Sequence, residues 1–224
     1  MKIGKEQFFY REVIRLKVIV ICSRKGGCGK STISCNLAVT ASKNNKRVLL
    51  VDADKQNSTL SFRAVRKEDD IKVISLTVPT IHKDIAGFKG FDLAIVDVAG
   101  RDDKVFRSAL MVSDLVIIPC LPSQFDIWGA NDTIDILKEA KSYGKELKAY
   151  FLINMLIPNT VVSRESITAL SEYKEDVGLL NTILHSRVDY KNCISEGQGV
   201  LEYKPTGKAS LEMKALYKEI FSLL

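Results

Sequence analysis

The sequence predicts an α/β fold, a doubly wound and mostly parallel sheet with helices on both faces. Three observations predict it. Six apolar runs are continuous rather than alternating, helical periodicity fills the gaps between them, and a glycine-rich segment joins the first run to the first helix. Continuous apolar runs fit strands buried on both faces, the usual situation in a parallel sheet. Strand–helix alternation then requires right-handed crossovers and an open sheet.

The elements follow in order. The first strand is predicted at KVIVIC, residues 17–22. A helix over 31–44 places Ile33, Leu37 and Ala41 on one face. RVLLVD (47–52), IKVISL (71–76), FDLAIVD (91–97) and DLVIIPC (114–120) supply four more strands. A helix over 126–143 aligns Ile127, Ala130, Ile134 and Leu137, and KAYFLIN (148–154) is the sixth strand. The last helix, 209–224, carries Met213, Leu216, Tyr217, Ile220, Phe221 and Leu224 on one stripe. Its polar face mixes Glu212 and Glu219 with Lys214 and Lys218. A membrane-surface helix carries mostly Lys and Arg there, so docking onto the sheet is expected.

No repeat, low-complexity tract or linker interrupts 17–224, which reads as one domain. Residues 1–16 form a basic, amphipathic extension that fits either a helix packed on the domain or a partner-binding arm. No apolar run reaches the roughly 18 residues of a membrane span, and the N-terminus lacks the pattern of a secretory signal. A cytoplasmic location is therefore expected. The net charge of +6 suits a polyanionic partner, and equally a merely soluble basic protein. Five cysteines, at 22, 28, 35, 120 and 193, include no C-x-x-C pair, which speaks against a zinc site. Cys22 and Cys120 close apolar runs and belong to the core. Cys28 differs, because it lies within the glycine segment.

That segment, KGGCGKST (25–32), follows the first strand and opens the first helix, as a phosphate loop must. Gly26, Gly27 and Gly29 let backbone N–H groups converge on phosphate oxygens, with Cys28 and Thr32 completing the cradle. The helix N-terminus adds partial positive charge. Lys30 can reach the β- and γ-phosphates, and the Ser31 hydroxyl can bind Mg²⁺. Asp52 and Asp54, two apart at a strand end, would face the phosphate loop together. Asp97 closes another apolar run, and Gly100 would let the loop after it move with the nucleotide.

The loop departs from G-x-x-x-x-G-K-[ST] by placing Arg24 at the first position and adding Lys25. This is the deviant Walker A form K-G-G-x-G-K-[ST]. With VDADKQNST and FDLAIVDVAG, it resembles the ParA/MinD group of P-loop ATPases, and most closely the short, ParF-like plasmid partition proteins. The resemblance implies a P-loop NTPase fold, ATP and ADP as cofactors, and Mg²⁺-dependent hydrolysis. It makes Asp54 the residue that positions water, and gives Asp52 and Asp97 supporting roles around Mg²⁺. Lys55 stands where the family has proline. Lys25 would cross a two-fold interface to the partner's nucleotide, so that ATP favours a homodimer. Asn154, in FLINM, is the candidate adenine reader or a plain strand-end asparagine. Arg187 and Lys191 match a late segment that contributes to non-specific DNA contact, although Arg187 equally fits a structural ion pair. The implied partners are DNA and a centromere-binding activator of the ParB or ParG kind, on the nucleoid and without a membrane. The alternative is a MinD-like, membrane-associated positioning ATPase.

Overall fold

The computed structural model describes residues 15–100, 103–142, 144 and 146–224. The extension at 1–16 thus lies almost wholly outside the described residues. Seven strands form one sheet: β1 (Lys17–Ser23), β2 (Val48–Ala53), β3 (Ile71–Ser75), β4 (Leu93–Ala99), β5 (Leu115–Cys120), β6 (Ala149–Ile153) and β7 (Gly178–Leu179). All pairings are parallel, in the order β3-β2-β4-β1-β5-β6-β7. The six predicted strands are present with ends shifted by one or two residues. The shift matters in β4, which runs two residues beyond Asp97 instead of ending there. β7 is new: two residues, half-buried, too short to leave an apolar run.

The helices are α1 (Lys30–Lys43), α2 (Ser58–Val65), α3 (Ile81–Asp84), α4 (Asp103–Leu110), α5 (Gln124–Ser142), α6 (Val161–Ser171), α7 (Asp189–Ser195), α8 (Val200–Tyr203) and α9 (Lys208–Leu223). Period-two alternation along the buried strands divides the core into two layers. Val18, Val20 and Cys22 of β1 face the layer under α3–α6, with Phe106, Ile134 and Leu170. Ile19 and Ile21 face the other layer, filled from α1, α2 and α7–α9.

α9 docks as expected. Met213, Leu216 and Ile220 are fully buried, while Tyr217 and Phe221 stack at 4.2 Å toward the rim. Each fully buried side chain of this size contributes on the order of 2 kcal/mol. No described helix is long and apolar enough to cross a membrane.

The strand order positions the site. β1 connects leftward through α1, whereas its neighbour β4 connects rightward through α4 to β5. Right-handed crossovers send those two helices to opposite faces, which opens a crevice at the carboxyl ends of β1 and β4. The glycine loop lies there.

Candidate functional site

The loop between β1 and α1 makes its turn at Gly27 (φ 77°) and Gly29 (φ 89°). Both lie in the left-handed region that favours glycine. Gly29 has a second constraint, since a Cβ there would stand 2.4 Å from Asn154 Nδ2. That nitrogen donates to the Cys28 carbonyl at 2.8 Å, and Asn154 is buried. Asn154 therefore braces the loop from the end of β6, whatever else it does. Cys28 proves as buried as the other four cysteines, not set apart from them. Its thiol donates to the Lys25 carbonyl at 3.5 Å.

The two lysines are engaged separately. Lys30 Nζ donates to the Lys25 carbonyl at 3.3 Å, which holds it within the loop. The Lys25 amine instead lies 5.8 Å from the centroid of the Phe125 ring, on α5. Its stem passes Gly129, where a Cβ would come within 3.8 Å of Lys25 Cδ. The loop opens into a cleft of about 820 Å³, also lined by Ser31, Asp54, Gly100 and Lys104. That volume suits a small-molecule ligand.

Asp52 and Asp97 are direct register partners across β2 and β4, yet they do different things. Asp52 is fully buried and fully used. One oxygen accepts from Thr59 N (2.9 Å), Thr59 Oγ1 (2.8 Å) and Leu60 N (3.1 Å). The other accepts from Asp54 N at 3.1 Å. It caps the first turn of α2, satisfying N–H groups that a helix start leaves open. The sequence expectation turned both Asp52 and Asp54 toward the phosphate loop; only Asp54 lines the cleft. Asp54 Oδ1 accepts from Gln56 N at 3.0 Å. The turn carrying Lys55 in place of proline closes through Asn57 N–H to the Asp54 carbonyl, at 3.0 Å.

Asp97 is 1% exposed, and neither carboxylate oxygen has a hydrogen-bond partner among the described residues. Burial is the main force that pushes its pKa up to about 7; the neighbouring Asp52 and Asp54 add to it, and Ser31 and Lys30 offset part of it. An unpaired buried carboxylate is costly unless a cation joins it. Asp97 with the Ser31 hydroxyl forms an all-oxygen donor set, which fits Mg²⁺.

Gly100 has a role that the sequence did not disclose. A Cβ there would meet the Ser23 carbonyl at 2.3 Å and Arg24 Cα at 2.4 Å. The glycine lets the end of β4 lie against the start of the phosphate loop, whereas the sequence reading gave it mobility. Arg187 is drawn to α9, where its Nε and Nη2 reach one oxygen of Glu212 at 2.9 and 2.6 Å. Lys191 is exposed on α7. Neither lines the cleft. Lys104 and Phe125 were not among the sequence candidates. Lys104 could have been found as the first lysine after the FDLAIVDVAG strand, while Phe125 has no motif to mark it.

The cleft, the loop and the strand order match a known family. The model for the CobQ/CobB/MinD/ParA nucleotide binding domain covers residues 19–200. The chain belongs to this family. Among ParA/MinD relatives, it is 28% identical over 203 residues to the maintenance of carboxysome distribution protein A of Halothiobacillus neapolitanus, covering 87% of this chain and 91% of that one. A plasmid partition protein of Borrelia burgdorferi, solved with AMPPNP, shares the fold with a TM-score of 0.74 at 20% identity, over 94% of this chain and all of that one. The septum site-determining protein MinD of Pyrococcus horikoshii, solved with Mg-ADP, does so with the same score and identity, over 93% and 97%. The chain thus has the nucleotide-binding ATPase fold of the ParA/MinD family.

Proposed function

We propose that the chain is an ATP-dependent DNA-partition ATPase whose ATP-bound dimer binds DNA non-specifically and is released by hydrolysis. The observation that carries this reading is the division of labour between the lysines. Lys30 is held inside the loop by a carbonyl, and Lys25 extends out to α5. In this reading Lys30 serves the bound triphosphate and Lys25 serves a nucleotide in a second copy, as an arginine finger does in trans.

The remaining roles follow from position. Loop N–H groups and the α1 N-terminus hold the phosphates. Ser31 and Asp97 would hold Mg²⁺, which supplies charge neutralisation at the β- and γ-oxygens. Asp54, at the cleft wall, orients the attacking water. Asp52 contributes indirectly, by fixing the turn that presents Asp54. Asn154 keeps Gly29 and Cys28 in place around the phosphates. DNA contact would rest on the basic surface, with Lys191 available and Arg187 committed to Glu212. The activator would be a centromere-binding protein of the ParB or ParG kind.

The carboxysome-distribution relative favours a second reading, in which the same switch distributes a cargo other than DNA. The buried stripe of α9 leaves the MinD-like membrane reading without a specific observation in its favour. The test is DNA binding with ATP, with ADP and without nucleotide across a salt series. ATP-dependent binding that weakens steeply with salt is expected. Lys25→Ala should keep monomer ATP affinity yet lose the ATP dimer by light scattering, and Asp54→Ala should bind ATP but turn over about 100-fold more slowly. Salt-insensitive or nucleotide-independent DNA binding overturns the proposal.

A further inference from the structure

We propose that Phe125 and Trp128, at the start of α5, form a docking patch for a second copy of this chain; the inference rests on the ATP dimer proposed above. Both side chains are large and apolar, yet 68% and 58% exposed. Their rings meet edge to face at 5.6 Å, so they present one preformed surface. The turn beneath them is fixed, because the Ser123 hydroxyl donates to Asp126 Oδ2 at 2.5 Å and accepts from Asp126 N at 3.2 Å. Folding has oriented two aromatic rings outward on a hydrogen-bonded turn, and among the described residues they stay largely uncovered.

Position and charge indicate the occupant. The patch adjoins the phosphate loop through the Lys25–Phe125 contact, so whatever meets Lys25 also meets the rings. On its other side the helix turns acidic: exposed Asp132 and Asp135 lie four and seven residues after Trp128, on the same face. DNA or an anionic lipid surface would be attracted by Lys25 and repelled by those carboxylates. A second copy brings its own rings to the rings and its own nucleotide to Lys25. A two-fold contact makes this self-complementary, with the same patch on both sides. Four rings offer on the order of 500 Å² of apolar area, enough for the centre of a standard interface but not for all of it. That modest area explains why nucleotide is needed to complete the contact.

Trp128 is the sole tryptophan of the chain, so its own emission reports the contact. The experiment follows acrylamide quenching of the full chain with Mg²⁺ and AMPPNP, alongside light scattering. Dimerisation should protect Trp128 from quencher, whereas ADP leaves it accessible. Trp128→Ala should weaken nucleotide-dependent dimerisation by about ten-fold or more, as loss of a central aromatic anchor does. Its nucleotide affinity as a monomer should stay within about two-fold, and Trp128→Phe should restore most of the dimer. A dimer in which Trp128 stays quenchable, or a Trp128→Ala protein that dimerises like wild type, overturns the patch while leaving the dimer reading intact. A wild-type protein that stays monomeric with AMPPNP overturns both. Protection of Trp128 by phosphatidylglycerol vesicles or by duplex DNA, without dimerisation, assigns the patch to that surface and overturns the proposal.

Discussion

Two carboxylates mark two kinds of region. Asp97, at the carboxyl end of the sheet, is buried with neither oxygen partnered among the described residues, and burial raises its pKa to about 7. Glu202, in the C-terminal third, is also pushed up by burial, but Arg66, Lys43 and the Gly199 N–H outweigh it and hold the group at about 2. Arg66, whose side chain is 1% exposed, binds Glu202, Asp70 and the Gly197 carbonyl at 2.9 Å each. One region is complete without a ligand; the other is built around a buried carboxyl that Ser31 and Lys30 compensate only in part. The difference separates stability from function. Residues that close a network hold the fold, and in the proposed function the residue left open near the head of the sheet would hold a cation.

The comparison can be broken first at the closed network. Arg66→Ala leaves Glu202 and Asp70 without their shared cation and should cost about 3–5 kcal/mol of stability, measured by urea unfolding. Mg²⁺ and ATP should add the same increment to this variant as to wild type. At the open site, Lys30→Ala should lower ATP affinity by about 100-fold or more, near 2.7 kcal/mol by calorimetry. The nucleotide-free protein should unfold near the wild-type temperature, because Lys30 holds one carbonyl and only partly offsets the Asp97 charge.

Asp97→Asn sharpens the contrast by its sign. Removing an unpaired buried charge should raise the stability of the nucleotide-free protein by about 1 kcal/mol, while the gain from Mg²⁺ with ATP disappears. A stability loss in the absence of ligand would show that Asp97 is a paired structural residue after all. The smallest effect is that of pH. Glu202 has a folded-state pKa below its unfolded value of about 4.5, so its contribution is present above that pH. It is lost as pH falls from about 4.5 toward 2. Asp92, held at about 2 mainly by Arg47, acts in the same direction. Glu202→Gln should therefore flatten the fall in stability between pH 5 and pH 3 in denaturant titrations.

Much of the open region was legible in the sequence, because phosphate chemistry requires particular residues within a short span. The loop 25–32 and the apolar run that leads to Asp97 are local patterns. Roles set by distant partners left no such mark. Asp52 looks like Asp54 until the chain returns Thr59 and Leu60 to it. The close approach that needs a glycine at Gly100 shows only once β4 meets the end of β1. Arg187 is a basic residue in a plausible segment, and its partner, Glu212, comes from another helix. The strands were readable since burial on both faces writes continuous apolar runs; β7, with two residues, writes nothing. The closed network was invisible for a related reason, since Arg66, Lys43, Asp70 and Glu202 are ordinary surface letters until folding gathers them.

The buried Asn36 of α1 accepts the Val200 N–H at 2.8 Å, and Val39 lies so close to Gly199 that a Cβ there would stand 2.7 Å away. Helix α1, which follows the glycine loop, is thus made long before the residues that cover it. Until α7, α8 and α9 emerge, its outward side, with Asn36 and Val39, faces water. A nascent chain halted before residue 200 would show a chaperone an apolar helix that the finished protein conceals.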